Sequence, residues 1–492
     1  MLDGIGEECG VVGIWAPGTD VAPAVYQGLI ALQHRGQESA GIAVADGERI
    51  ARSVGMGEVR HAFQPAALTR LTGHLGIGHV RYSTTGDSTV ENAQPLLGRM
   101  PPGGSLALAH NGNITAVAGV GVPGDSTADT RLLVAQIGDE DGPLDAALRA
   151  VLARTSGAYS IVACDAQRLY AARDPYGFRP LCLGALPGGG WVVASESPVL
   201  DLLGATLVRE VSPGEVLLID DGGPRSTRFA APARVAACSF EHVYFARSDT
   251  VLGGRRVQQV RRALGRALAR EAPATGDVVI PVPDTARPAA LGFAETSGIP
   301  YDEGLARNNY VGRTFIQPEQ HVRRAAVLLK LNPIAEVVAG RAVVLVDDSI
   351  VRATSMTQVV AMLRAAGARR VHVRVASPPV RWPCFFGVDM KTGTELVANR
   401  CTPAEIGRMV GADSLEYLSV EALREAVGGA ESCVGCFTGA YPVPVSPPTR
   451  LVPGRPLALT PTGRPHPKTK TPTLLTTGDR RPWQELRSDY RS

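Results

Sequence analysis

The sequence predicts an α/β protein of two domains, in which two packed antiparallel sheets with helices outside are followed by a doubly wound parallel sheet. Between residue 9 and about residue 235, short β-rich runs broken by glycine follow one another with few helices between them, which favours packed antiparallel sheets. From about residue 255, almost wholly apolar strands alternate with helices, which favours a parallel sheet buried on both faces. This change predicts a domain boundary near 235–250.

The first domain is predicted to have two helical stretches, near 23–34 and 128–153. Its strands are expected in the runs CGVVGIW, SAGIAVA, LGIGHVRYST, SLALAHNGN, GAYSIVACD, RLYAARD, WVVASE and GEVLLID. In the second domain, helices are expected over VQQVRRALGRALAREA, 286–297 and TQVVAMLRAAG, and strands over DVVIPVPD, AVVLVDD and RVHVRVASPP.

The composition is ordinary for a soluble globular protein with room for two or three cores: 492 residues, of which 45% are hydrophobic. No uncharged apolar run approaches the ~20 residues of a membrane span, and the acidic N-terminus does not have the pattern of a signal peptide. The eight cysteines are too scattered for a disulfide scaffold. We therefore expect a cytoplasmic protein with no membrane partner.

The end of the chain differs from the rest in charge and proline content. Residues 443–492 carry nine basic and three acidic side chains, or +6, whereas the remaining 41 basic and 44 acidic residues leave −3. Residues 442–492 also hold 11 of the 37 prolines. An extended or disordered tail is expected, and its charge does not indicate a nucleic-acid surface on the folded part.

The opening stretch MLDGIGEECGVVGIW raises two interpretations of Cys9. In the first, Cys9 is a buried core residue on a strand behind a frayed terminus. In the second, residues 1–8 are removed and the thiol lies beside its own α-amine, whose pKa of ~8 allows it to take the thiol proton. This stretch alone leaves both open.

The segment AVVLVDDSIVRATS, residues 342–355, has the pattern of a nucleotide or phosphate site. A buried strand ends in Asp347 and Asp348, and a loop of small and hydroxyl residues leads into a helix. Paired carboxylates suit ribose hydroxyls or hydrated Mg²⁺, and the N–H groups of a loop–helix junction suit a phosphate. The alternative is a capped helix with solvated acids.

Several motifs resemble those of one enzyme family. VDDSIVRATS resembles the phosphoribosylpyrophosphate (PRPP) motif of type I phosphoribosyltransferases, and PVPDTARPAALGFAE, RNNYVGRTFIQP and SPPVRWPCFFG resemble further signatures of the amidophosphoribosyltransferases. The resemblance implies an N-terminal-nucleophile hydrolase αββα sandwich over 9–235 and a type I phosphoribosyltransferase domain over 236–441. It also implies a propeptide over 1–8 and a tail over 442–492.

By this resemblance, Asp347 and Asp348 bind the ribose hydroxyls and one Mg²⁺ per subunit, with Thr285 as a further metal-site residue. The stretch 307–330 would form a flap that brings two cations towards the diphosphate. The phosphate loop and these two cations comprise Ala353, Thr354, Ser355, Arg313 and Lys330.

The resemblance also makes Cys9 the nucleophile of a glutamine site. Arg81 has the planar donor that suits the substrate carboxylate, and Asn111 and Gly112, expected at a tight turn after a strand, can hold an oxyanion. Asp129 would take the α-ammonium group of glutamine. Each has a structural alternative: Arg81 as a surface charge, Asn111-Gly112 as a turn and Asp129 as a helix N-terminal acid. Arg35, in HRGQES, is expected to serve coupling or binding.

Four cysteines form a further candidate site: Cys238, Cys384, Cys433 and Cys436. Four thiolates suit zinc or an iron–sulfur cluster, and the C-x-x-C pair alone could be redox-active. The resemblance implies one structural [4Fe–4S] cluster per subunit, because a subset of the family carries it on cysteines in these contexts.

The implied activity uses glutamine and PRPP to make 5-phosphoribosylamine, glutamate and pyrophosphate, the first committed step of purine synthesis. The family also implies a homo-oligomer, a dimer or tetramer, that purine nucleotides inhibit. Two alternatives stay open: a paralogue in specialised nucleoside biosynthesis, and a PRPP-binding regulatory protein with an impaired transferase site. They are suggested by Ala353 where the family usually has glycine, by Met356 where it has polar residues, and by the pair Thr285-Ala286.

Overall fold

The structure is a computed structural model that describes residues 9–82, 89–100, 103–117, 120–121, 129–231, 234–308, 330–390, 393–429 and 431–444. All of these ranges belong to one compact unit. None of the helices within them is long and apolar enough to cross a membrane.

The described strands lie in both halves of the chain. They are β1 Gly10–Trp15, β2 Ser39–Ala45, β3 Ile50–Met56, β4 Leu75–Arg81, β5 Leu96–Met100, β6 Gly104–Val117, β7 Val120–Gly121, β8 Ser156–Cys164, β9 Leu169–Arg173, β10 Cys182–Ala185, β11 Trp191–Ala194, β12 Thr206–Glu210, β13 Glu215–Asp220, β14 Gly223–Arg228, β15 Ala237–Cys238, β16 Val251–Leu252, β17 Arg255–Arg256, β18 Val278–Pro281, β19 Leu305–Arg307, β20 Leu331–Pro333, β21 Ala342–Asp347, β22 Arg370–Val375, β23 Ser414–Tyr417 and β24 Ser432–Cys433.

The described helices lie between and outside these strands. They are α1 Ala22–Ala31, α2 Val59–Ala62, α3 Pro65–Leu68, α4 Asp129–Gly138, α5 Leu144–Leu152, α6 Pro198–Leu202, α7 Val257–Glu271, α8 Arg287–Ser297, α9 Ala335–Val338, α10 Thr354–Ala365, α11 Val397–Arg400, α12 Pro403–Val410, α13 Val420–Val427 and α14 Gly435–Thr438. Short 3₁₀ turns cover Gln33–Arg35, Val90–Asn92 and Gly393–Glu395, and a π-helix covers Glu241–Phe245.

The first half of the chain is an αββα sandwich. One antiparallel sheet has the order β12-β10-β11-β1-β4-β2-β3, and the other has the order β14-β13-β9-β8-β6-β5. Alternation along each strand divides the core: Val11 and Val162 pack between the sheets, whereas Val12 packs against Leu29 of α1. The outer face of the second sheet packs on α4 and α5. The predicted fold of this half is confirmed.

The second half contains a parallel sheet of order β18-β21-β22-β23 among the described residues. Both faces are covered, since Val344 packs with α7, α8 and α13 while its neighbour Val343 packs with α10 and α12. Burial on both faces explains the continuous apolar runs of these strands. The predicted doubly wound sheet is confirmed.

Some local predictions were wrong. The helical stretch predicted over 128–153 is two helices, α4 and α5, because Gly142 takes a φ of +106° and Pro143 follows it. Strands β3, β5, β10, β12 and β14 were not predicted, because they are short or contain polar residues and so lack the long apolar runs of β1 and β8.

Candidate active sites

Cys9 lies immediately before β1, beside the end of β4. The first residue of β1, Gly10, pairs with Val80, so that Cys9 faces the end of β4 at Arg81. The thiol is buried, and its Sγ donates to the carbonyl oxygen of Tyr82 at 3.5 Å. Burial is compatible with both interpretations of Cys9, a core residue or a nucleophile, so the acidity of its thiol has to distinguish them.

The Cys9 thiol is protonated at neutral pH in the chain that still carries residues 1–8. Burial raises its pKa to about 11, although the hydrogen bond to Tyr82 and the charge of Arg81 act in the opposite direction. The negative charges of Glu38 and Asp129 raise it further. Arg81 and Asp129, the predicted glutamine-binding pair, are therefore among the charged groups that act on Cys9.

Asn111 and Gly112 lie within β6, opposite Ser160 and Tyr159 of β8. The tight turn predicted after the apolar strand is wrong, because β6 continues to Val117. It continues through a local distortion in which Gly112 takes a φ of +142°, and a Cβ there would lie 2.0 Å from the Ala158 carbonyl oxygen. Only glycine fits this position.

The side chain of Asn111 is buried, yet its Nδ2 and Oδ1 atoms both lack a hydrogen-bond partner among the residues that the structure describes. A buried amide without a partner costs about 1–3 kcal/mol, so such groups are rare in proteins and often belong to functional sites. The amide therefore remains available to a ligand.

Asp129 is held in place at the first turn of α4. Its carboxylate accepts from the N–H groups of Ile114 and Thr130 at 3.2 and 2.7 Å, and His110 Nε2 lies 3.4 Å from its Oδ2. His110 Nδ1 in turn lies 2.9 Å from the Thr130 hydroxyl. Asp129 is thus a helix N-terminal acid that also lies near the Cys9 thiol, so its structural role and its predicted role in binding glutamine are compatible.

Arg35 is fully buried and connects the nucleophile segment to two distant acids. Its Nε donates to the Cys9 carbonyl oxygen at 3.0 Å, and its Nη atoms donate to Glu196 at 2.6 Å and to Glu241 at 2.7 Å. Glu196 also accepts from the Thr250 hydroxyl at 2.6 Å. Burial alone would raise the pKa of Glu196, but the charges of His34 and Arg35 lower it below the ordinary value.

Glu196 and Glu241 were not predicted from the sequence. They are 161 and 206 residues from Arg35 along the chain, and no local pattern marks them. Glu241 begins the π-helix, which also contains Tyr244. Burial and then the charges of Asp348 and Asp347 raise the pKa of Tyr244.

The predicted metal-site residues Asp347, Asp348 and Thr285 lie at the carboxyl edge of the parallel sheet. Asp347 ends β21 and is half-buried, as is Asp348. Thr285 follows the neighbouring strand β18 at the same edge, since Val282 N–H bonds to the Val346 carbonyl at 2.8 Å. The Asp347 carboxylate accepts from the N–H of Asp348 at 2.9 Å.

The loop after β21 contains a left-handed alanine. Ala353 takes a φ of +63° as the N-cap of α10, the conformation for which glycine is favoured. Thr357 holds it there, because its N–H and hydroxyl donate to the Ala353 carbonyl at 3.0 and 2.9 Å. Met356 is buried in the core between the sheet and α10, so its apolar side chain is explained by packing. Thr354 is exposed and Ser355 is buried.

Part of the predicted flap lies outside the described residues, Arg313 included. Lys330 is described and half-buried, and its carbonyl accepts from the N–H of Asn308 at 2.9 Å.

The four predicted cluster cysteines come together although they are far apart in the sequence. Cys238 lies directly opposite Cys433 in the parallel pair β15–β24, and Cys436 is the second residue of α14. Burial and then the charges of Cys384, Cys433 and Cys238 raise the pKa of Cys436, and burial raises that of Cys433 to about 12. No group of three or more His, Cys, Asp or Glu side chains in the described ranges has the spacing of a bound metal ion.

Comparison with known proteins identifies the family. A model of the glutamine amidotransferase domain matches residues 79–201. The amidophosphoribosyltransferase of Mycobacterium tuberculosis is 47% identical over 469 residues, which cover 90% of this chain and 88% of that protein. The chain belongs to the amidophosphoribosyltransferase family.

Other amidophosphoribosyltransferases agree in sequence and structure. The Bacillus subtilis protein is 44% identical over 466 residues, covering 92% of this chain and 97% of its own. The solved structure of the B. subtilis glutamine PRPP amidotransferase complexed with ADP and GMP matches with a TM-score of 0.81 and 43% identity, over 88% of this chain and 97% of that one. The chain is therefore an enzyme that makes 5-phosphoribosylamine, glutamate and pyrophosphate from PRPP and glutamine, the first committed step of purine synthesis.

Proposed function

We propose that glutamine is hydrolysed by a mature chain that begins at Cys9, after removal of residues 1–8. The new α-amine takes the thiol proton, Sγ attacks the carboxamide carbon, and the protonated amide nitrogen leaves as ammonia. Water then hydrolyses the thioester to glutamate and restores the thiol. The raised pKa of Cys9 supports this, because the Tyr82 carbonyl that its thiol contacts cannot act as a base.

The observation that carries the glutamine site is the unpartnered buried amide of Asn111. We assign its Nδ2 and the Gly112 N–H as donors to the oxyanion that forms when Sγ attacks. Arg81 binds the α-carboxylate of glutamine, and Asp129 binds its α-ammonium group.

In the second reaction, ammonia attacks C1 of PRPP and pyrophosphate leaves. Asp347 and Asp348 bind the ribose hydroxyls, and these acids with Thr285 would hold Mg²⁺. The donors fit, because this ion prefers one or two carboxylates completed by water and substrate oxygens. When bound, the ion neutralises the charge of the leaving pyrophosphate. The 5′-phosphate and diphosphate are bound by Ala353, Thr354, Ser355, Arg313 and Lys330.

We also propose that Cys238, Cys384, Cys433 and Cys436 hold a [4Fe–4S] cluster. The support is the donor chemistry, four thiols of which Cys436 is close enough for the charge of every other one to raise its pKa. The cluster, when bound, supplies a cross-link between α14 and the segments that contain β15 and Cys384.

Further expectations concern the setting of the enzyme. We propose a cytoplasmic homo-oligomer, dimer or tetramer, that purine nucleotides inhibit. The nucleotides ADP and GMP in the B. subtilis complex support the last point.

The mature N-terminus is tested by intact mass and activity. Purified protein should have lost residues 1–8 and should release glutamate and pyrophosphate from glutamine, PRPP and Mg²⁺. The Cys9→Ala variant should make no product from glutamine but retain the reaction with added ammonia. Full glutamine-dependent activity in protein that retains Met1 would refute the proposal. Failure to consume PRPP with either nitrogen source would favour a regulatory PRPP-binding protein.

The cluster is tested by iron and sulfide content after anaerobic purification. Four iron and four sulfide per subunit, with a visible chromophore that oxygen bleaches, are expected for a [4Fe–4S] cluster. Serine at Cys384 should give insoluble or metal-free protein, because cluster binding is coupled to folding. Serine at Cys401, which lies outside the quartet, is the control. Zinc in place of iron and sulfide would contradict the proposal.

A further inference from the structure

Residues 385–387, between Cys384 and Met390 in the second half of the chain, pack against the strand that carries Asn111 and Gly112. Asn113 Nδ2 donates to the Phe385 carbonyl oxygen at 2.9 Å. Gly387 lies against Gly112 itself, since a Cβ at Gly387 would lie 3.1 Å from the carbonyl carbon and 3.2 Å from the Cα of Gly112. On its other side Gly112 has no room either, because the Ala158 carbonyl would meet a Cβ at 2.0 Å. The proposed oxyanion donor is therefore enclosed by two backbones.

Arg179 fixes the same segment from within the core. This guanidinium is fully buried, and its Nε donates to the Phe386 carbonyl oxygen at 2.9 Å. Its Nη1 lies 3.5 Å from Glu241, the acid to which Arg35 donates. Since Arg35 also donates to the Cys9 carbonyl, one buried network contacts the backbone on both sides of the glutamine site.

The aromatic side chain of the segment is equally constrained. Phe386 stacks on Phe178 with the ring centroids 4.4 Å apart and the planes 12° from parallel, and both rings are buried. The N–H of Phe386 also lies 3.4 Å from Cys384 Sγ. Hydrogen bonds, ring stacking and backbone contact thus hold residues 385–387 in a defined position relative to β6.

We propose that Phe385, Phe386 and Gly387 are positioning residues for the oxyanion site, although they belong to the half of the chain that carries the PRPP site. This inference rests on the proposed role of the Gly112 N–H. Gly387 is required because its φ of +105° is a glycine conformation and because a side chain would press on Gly112 and on Arg179 Nη2, 2.8 Å away. A donor displaced by a fraction of an ångström stabilises the oxyanion less.

The test is Gly387→Ala, with Gly298→Ala as the matched control. Gly298 also has a positive φ, +73°, but a Cβ there would meet no atom of the described residues within 4 Å, so this variant has the backbone strain without the contact. We expect Gly387→Ala to lower kcat for glutamine hydrolysis on the order of tenfold with little change in KM, since the displaced donor acts on the transition state. The reaction with ammonia should stay within about twofold, and Gly298→Ala should change neither.

Asn113→Ala keeps the inference testable if Gly387→Ala does not fold. It removes the hydrogen bond to Phe385 and should lower kcat for glutamine a few-fold, again without a change in KM. Unchanged glutamine kcat in folded Gly387→Ala, or an equal loss of the glutamine and ammonia reactions, would overturn the inference. Cys9→Ala is measured in parallel, because glutamine use that survives that change means that the glutamine site itself is wrongly assigned.

Discussion

Gly112 and Ala353 both use a positive φ at a proposed anion site, but the two positions differ in what they tolerate. Gly112, with a φ of +142°, lies in a region closed to L-residues and has no space for a Cβ. Ala353, with a φ of +63°, lies in the left-handed region, which costs an alanine roughly 1–2 kcal/mol. One position therefore requires glycine, and the other only favours it.

This difference separates two ways of building an anion site. The proposed oxyanion site is set in β6, a strand of the second sheet, and is supported by buried ion pairs, so that its geometry is fixed by the core. The phosphate loop is the start of one helix and is held by hydrogen bonds from Thr357. We expect substitutions to be far more damaging at the first than at the second.

The largest effect is expected for Gly112→Ala. The new Cβ would displace the strand or the Ala158 carbonyl, and loss of one oxyanion donor lowers kcat about 10²–10³-fold. Steady-state glutaminase assays would measure this, with ammonia-dependent synthesis as the control for folding of the other half. Near-normal glutamine kcat would mean that the donor is elsewhere.

Glu196→Gln tests the buried support of the glutamine site. Removing the charge leaves Arg35 with one acid fewer in the core, and breaking a buried ion pair typically costs about 3–5 kcal/mol of unfolding free energy. Because the folded-state pKa of Glu196 is lowered, its stabilisation is present above the ordinary carboxylate pKa of ~4.5 and is lost as pH falls towards the folded-state value.

Urea unfolding of this variant at pH 7 and at pH 4 would measure both effects. The difference from the unaltered protein should be large at pH 7 and smaller at pH 4. Glu295→Gln is the matched control, since Glu295 is exposed and pairs with Arg266 at 3.3 Å on the surface, where the loss should be below about 1 kcal/mol. Equal losses for the two variants would show that burial of the network contributes nothing.

The smallest effect is expected for Ala353→Gly. From the sequence, a weakened phosphate loop with an elevated KM for PRPP is predicted. Hydrogen bonds from Thr357 hold Ala353 in the left-handed conformation before PRPP binds. Much of the strain energy of that conformation therefore lowers the stability of the fold and does not weaken PRPP binding. Relief of about 1–2 kcal/mol of strain is offset by the ~1 kcal/mol entropy that glycine loses on folding. We expect KM to fall at most a few-fold with kcat unchanged. A tenfold fall would mean that the strain is relieved only when PRPP binds.

The sequence predicted the fold because local patterns report it: β1 is an apolar run that begins at a glycine, β21 is an apolar run that ends at paired acids, and α7 has helical periodicity. It also located the ends of strands where Cys9 and Asp347 lie. It could not predict the contacts of Arg35 with Glu241 or of Asn113 with Phe385, which join residues 206 and 272 apart. Nor could it predict that β6 passes through Gly112 without turning, since Asn-Gly is a strong turn signal in isolation.

The π-helix Glu241–Phe245 contains residues that interact with both proposed sites, and its hydrogen-bond pattern affects how their side chains are directed. The bond from the Ala246 N–H to the Glu241 carbonyl, 3.0 Å long, spans five residues and so opens the turn by one residue relative to an α-helix. The extra residue in the turn changes the angle between its side chains. Glu241 pairs with the Arg35 guanidinium, and the charges of Asp348 and Asp347 act on Tyr244. A single turn thus carries one side chain that belongs to the ion-pair network at Cys9 and another that feels the charges of the acids after β21. Deleting one residue from this turn would rotate these two side chains relative to each other.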